Sequence, residues 1–167
     1  MKVLAAVMAI GLALTQSAAA SDAKPVDPGD LPEFFAGTWT VEGLEDSFRE
    51  TCEWLSPNSF LICRGTDSDP KNPGQWITLL GYSHAEKMYN FTAFDGGGGK
   101  AVFSGWLRDD VWIFTSEQFL HGKMSRLQVT ITPTKDGYIL REEESVNGGP
   151  WKVTLEEKHV RLPKAGK

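Results

Sequence analysis

Hydrophobic and polar residues alternate one by one along most of this chain, and apolar side chains at helical spacing are almost absent. Leu127, Val129 and Ile131 interleave with Arg126, Gln128 and Thr130, and Trp151, Val153 and Leu155 interleave with Lys152, Thr154 and Glu156. A period of two is the mark of a strand with one buried face. The same pattern, cut by turn residues, predicts strands over Thr38–Val41, Phe48–Leu55, Phe60–Arg64, Gln75–Tyr82, Met88–Phe94, Lys100–Leu107, Val111–Glu117, Leu127–Thr132, Tyr138–Val146 and Trp151–Arg161. The connections are of hairpin length, which predicts an up-and-down order. A meander of this many strands has exposed edges unless it closes on itself. The expected fold is therefore all-β: an up-and-down antiparallel barrel of about 8–10 strands over residues 30–161.

One short helix is expected before the first strand. Asp30-Leu-Pro-Glu33 has the spacing of a capping box, Leu31, Phe34 and Phe35 form its apolar side, and Gly37 ends it. Such a turn would plug one end of the barrel.

Register decides which side chains face inward. In the last hairpins, four-residue turns at 134–137 and 147–150 pair Ile131 with Leu140, Val129 and Leu155 with Glu142, and Val153 with Glu144. Both turns then place Leu140, Glu142 and Glu144 on the inner face, and the parity continues to Glu157 and His159 toward the open, wet end of the last strand. A bulge at Gly137 is the alternative, and it would turn the two carboxylates to solvent. Inward carboxylates must be paired, hydrogen-bonded or protonated, which implies an interior that binds something. Trp39, Trp54, Trp76, Trp106, Trp112 and Trp151 all fall in strands, with Trp106 opposite Trp112 across Arg108-Asp109-Asp110. They either pack a solid core or wall a pocket.

The N-terminus changes the expected compartment. Lys2 precedes an apolar run from Val3 to Leu14, then Ala18-Ala19-Ala20 before Ser21-Asp22. This is the pattern of a secretory signal peptide over residues 1–20. Residues 21–29 read as a lead-in and 162–167 as a tail. Cutting after Ala20 leaves 147 of 167 residues and moves the net charge from −5 to −6 with the loss of Lys2. A mildly acidic chain is a poor partner for nucleic acid or an anionic membrane. No later segment is long and apolar enough to span a bilayer as a helix. Export fits the two cysteines: with a turn at 56–59, Cys52 and Cys63 stand directly opposite each other, as a disulfide requires.

Little else carries chemistry. No nucleophile elbow, zinc-binding pair or H-E-x-x-H run is present, so neither metal nor cofactor is expected. His84, His121 and His159 are scattered. Gly96–Gly99 with Lys100 lacks the other positions of a phosphate loop and reads as a hairpin tip. Asn90-Phe91-Thr92 is a formal glycosylation sequon inside a strand.

Two segments carry a family resemblance. Phe35-Ala-Gly-Thr-Trp39-Thr-Val-Glu-Gly43 resembles the G-x-W opening of the calycins, the superfamily of lipocalins and fatty-acid-binding proteins. Leu80-Gly-Tyr82-Ser-His-Ala-Glu-Lys87, then Gly148-Gly-Pro-Trp151 leading to Arg161, resembles a bacterial calycin-like exported family of unknown function. The resemblance implies a lipocalin-like barrel, often with an internal cavity, and no established activity. Related haem-binding barrels use an axial histidine, but nothing around His159 matches such a motif.

The sequence-level expectation is an exported barrel binding a small, largely apolar molecule, with Trp106, Trp112 and Trp151 as walls and Glu142 and Glu144 as polar anchors. The alternative is a solid barrel whose loops, around the glycine tip or Phe119-Leu120, bind a protein. An enzyme using Glu142 or Glu144 as general acid or base comes last, since no electrophile-stabilising partner is identifiable.

Overall fold

The computed structural model describes residues 32–55, 60–71, 73–120 and 122–163. The expected leader, the Asp30 cap, the 56–59 turn, His121 and the last residues of the tail lie outside them. One helical turn, α1 (Pro32–Phe35), precedes ten strands: β1 (Gly37–Val41), β2 (Phe48–Trp54), β3 (Phe60–Asp67), β4 (Gly74–Ser83), β5 (Met88–Asp95), β6 (Lys100–Arg108), β7 (Val111–Leu120), β8 (Lys123–Pro133), β9 (Gly137–Val146) and β10 (Lys152–Arg161). Each strand pairs antiparallel with its sequence neighbour, and β1 pairs with β10, so the sheet closes into a barrel with no free edge. The up-and-down antiparallel barrel read from the alternation is the fold observed.

The register agrees with the pattern where the turn was read correctly. Ile131 faces Leu140 and Val129 faces Glu142, with no bulge at Gly137. Gly137 serves a different purpose: a Cβ there would lie 1.9 Å from the His159 carbonyl oxygen, so only glycine lets β9 approach β10 this closely. Cys52 faces Cys63 and the pair is bonded.

Two turns correct the sequence reading. The β6–β7 connection is a two-residue turn in which Asp109 and Asp110 both adopt positive φ, 51° and 63°, the conformation that suits the twist of a tight hairpin. Leu107 therefore faces Trp112, and Trp106 faces Ile113. A slip of one residue exchanges faces, so Trp106 and Trp112 lie on opposite sides of the wall. On β10 the ladder shifts between Val153 and Leu155: Leu155 faces Glu142 as expected, but Val153 faces Glu143 and Lys152 faces Glu144. The extra residue turns Val153 outward and carries Trp151 off the inner face. The β7–β8 hairpin is also longer than read, with Phe119 paired to Met124 inside the ladder.

Candidate functional site

The two ends of the barrel differ in chemistry. At the end that receives α1, Phe34 and Phe35 lie against Trp112, Tyr138 and, from Phe34, Trp39, with ring centroids 5.0–6.1 Å apart. Arg161 fixes the turn there. Its guanidinium sits 4.3 Å from the Trp39 ring centroid and donates hydrogen bonds to the Ala36 and Phe34 carbonyls at 2.6 and 2.7 Å. The Trp39 indole donates to the Phe35 carbonyl at 2.9 Å. Full burial of each such ring contributes about 2–3 kcal/mol, so this end is a stable plug.

Farther along the barrel the inner face turns acidic. Glu142 and Glu144 share it with Val129 and Leu127, their partners on β8. Glu142 accepts a hydrogen bond from the Thr154 hydroxyl at 2.8 Å, and Glu144 accepts one from Ser125. Leu155, opposite Glu142, is 38% exposed although it faces inward. Phe91, Leu127 and Leu140 on the same face are likewise only partly buried. These side chains pack against the core while keeping part of their surface in contact with solvent.

A third acidic position, missed at the sequence level, is Glu50. It stands on β2 opposite Gly65, which in turn stands opposite Trp76 on β4. The Trp76 indole crosses above Gly65 and donates to the Glu50 carboxylate at 2.7 Å. Burial holds the Glu50 carboxyl above the usual range, Trp76 and His159 oppose that rise, and Glu157 adds to it. The signal was available: once Cys52 and Trp54 are read as inward, Glu50 follows from the period of two.

His159 is placed differently from expectation. It is not at a wet rim but 4% exposed, stacked on Tyr138 at 4.6 Å and edge-on to Phe48 at 5.5 Å. Strand β10 ends at the α1 side, and there the Tyr138 and Phe48 rings cover His159. Among the described residues neither ring nitrogen makes a hydrogen bond; Nε2 lies 3.4 Å from the Glu157 carboxylate. Burial, with Glu50 and Glu157 nearby, pushes the Tyr138 hydroxyl well above its ordinary value.

The residues singled out from sequence thus separate. Glu142 and Glu144 come together on the inner wall. Trp112 is buried in the plug, its indole nitrogen without a partner. Trp106 is 45% exposed on the outer surface, and Trp151, 48% exposed, lines a pocket of about 520 Å³ with Thr115, Ser116, Glu117, Arg126 and Leu127. Among the described residues, one set of potential metal ligands converges, Glu50 with Cys52 and Cys63, but an oxidised pair supplies no thiolate. No helix among those residues is long and apolar enough to cross a membrane. No family model matches the chain, and a search of curated proteins gives no match either.

Proposed function

We propose that this chain is an exported, calycin-like barrel that holds a small, largely apolar molecule inside. The observation that carries the reading is the inner wall of β8–β10, where Glu142 and Glu144 alternate with partly exposed Leu127, Leu140 and Leu155. Binding sites combine apolar walls with a few polar anchors in this way. The closed up-and-down barrel and the G-x-W opening support the calycin kinship. Disulfide-bonded Cys52–Cys63 supports an oxidising compartment, and with it the reading of residues 1–20 as a signal peptide. In this reading Trp112 is the floor of the site, Glu142 and Glu144 are its anchors, and Trp106 and Trp151 have no part in it. Native mass spectrometry of protein from its own compartment tests the proposal: a retained small molecule supports it, and a Glu144→Gln variant should bind that molecule more weakly with an unchanged Tm. Protein that carries nothing, and takes up no apolar probe, refutes it.

A second reading has one observation in its favour. Phe119 is 70% exposed near the tip of the β7–β8 hairpin, opposite exposed Met124, as a protein-docking tip would require. A co-purifying protein lost on Phe119→Ser would favour it.

A further inference from the structure

Resting on the binding-barrel reading, we infer that the ligand is a cation: an organic amine or quaternary ammonium with an apolar body. Glu50 on β2, Glu142 and Glu144 on β9, and Glu157 on β10 occupy inner-face positions, and Asp67 and Asp95 share that face at the ends of β3 and β5. Among the described residues Glu50, Glu142, Glu144 and Glu157 make no ion pair with a lysine or arginine. Glu50 takes the Trp76 indole, Glu142 takes Thr154, Glu144 takes Ser125, and Glu157 meets only His159. Arg161 has the right parity, but its guanidinium is committed to Trp39 and two carbonyls at the plugged end. Lys123 and Lys152 stand at the opposite rim, exposed, and Lys152 makes no ion pair with Glu144 across from it.

Like charges close together on one sheet face are unfavourable, and a ligand that supplies positive charge offsets that repulsion. His159 gives a second indication: a side chain 4% exposed, on the inner face, with Nε2 3.4 Å from the Glu157 carboxylate and with neither ring nitrogen hydrogen-bonded among the described residues. Buried polar groups are rarely left unsatisfied unless something else completes them.

The chemistry selects an organic cation over a metal ion. A metal requires several donor atoms converging on one point, and among the described residues the only close set includes the disulfide sulfurs. Glu142 and Glu157 are instead diagonal neighbours across β9 and β10, roughly 7–8 Å apart at their backbone positions. That spread suits a bulky ammonium group. Leu140, Leu155 and Phe91 provide apolar surface for the rest of the molecule.

The test compares three probes of equal chain length on the intact protein at pH 7.5: decyltrimethylammonium, decanoate and decanol, below their micelle concentrations, followed by tryptophan fluorescence and calorimetry. The cation should bind at least about tenfold tighter than decanoate. Glu142→Gln and Glu157→Gln should each weaken the cation about three- to tenfold and leave decanol unchanged. Equal or tighter binding of decanoate or decanol overturns the inference while leaving a binding barrel in place. Failure of all three probes overturns both readings. The wild-type comparison stands even if a variant fails to fold.

Discussion

Replacing Gly65 by alanine should destabilise this protein strongly, although the generic effect of that change in a strand has the opposite sign. Glycine in a strand interior is normally worse than alanine by about 0.5–1 kcal/mol. Here Gly65 is the middle of a three-strand row, Glu50–Gly65–Trp76. Neighbouring strands lie about 4.8 Å apart, so Glu50 and Trp76 are two spacings from each other and meet only because the indole passes over a residue with no side chain. A Cβ on Gly65 would lie 1.9 Å from Cε2 and 2.1 Å from Cζ2 of that ring. The ring must move, and the 2.7 Å bond to Glu50 goes with it. Overpacking costs about 1–3 kcal/mol, and a desolvated carboxylate that loses its donor costs about 1–3 kcal/mol more. The expected loss is about 4 kcal/mol, or about 10–15 °C in Tm for a domain of this size. Urea unfolding of Gly65→Ala, Trp76→Ala and the double variant reads it directly. Once Trp76 is truncated the added methyl has room, so the pair should be coupled by about 2–3 kcal/mol. A Gly65→Ala protein as stable as wild type, or effects that add within about 0.5 kcal/mol, would refute the bridge.

Three further outcomes are expected. Glu50 has a raised folded-state pKa, so its contribution is fully present below the unfolded value of about 4.3 and is lost as pH rises through the folded one; Glu50→Gln should therefore match wild type in urea midpoint at pH 4 and exceed it at pH 7.5. Opening the Cys52–Cys63 bond by a double serine substitution should cost about 2–3 kcal/mol, since the loop it closes spans only 11 residues; calorimetry in oxidising buffer measures it. Trp112→Ala should cost about 3–5 kcal/mol through the cavity left in the plug, whereas outward-facing Trp106→Ala should stay within about 0.5 kcal/mol; comparable losses would mean that the register assigned to β6–β7 is wrong.

The architecture was legible because alternation reports directly on which side of a sheet a residue faces. The registers that failed did so at places where one residue's backbone conformation decides the outcome. Arg108-Asp109-Asp110 reads as a three-residue turn by composition. Only the positive φ of both aspartates makes it a two-residue turn and sends Trp106 outside. Likewise nothing in Val153-Thr154-Leu155 announces a bulge, yet that one extra residue removes Trp151 from the interior. The carboxylates were better determined than the aromatics, because the β8–β9 and β9–β10 turns fixed Glu142 independently. The Glu50–Trp76 bridge needed one more inference, that a glycine between two inward residues is a passage for a side chain rather than a flexible point.

These placements divide the barrel into a half that stabilises and a half that does not. A chain selected only for stability would fill the second half as it fills the first, with rings at van der Waals distance. Instead Glu50, Glu142, Glu144 and Glu157 stand on the inner face with no ion pair to lysine or arginine among the described residues, and burial holds the first of them above its ordinary pKa. A solid core avoids such groups because each costs free energy and contributes no packing. The aromatic plug, the Arg161 lock and the disulfide lie at the α1 end and along β2–β3, and Glu142 and Glu144 on β9 stand outside them. The polarity of that wall is a departure from what folding alone requires, and it is the reason to look for function there.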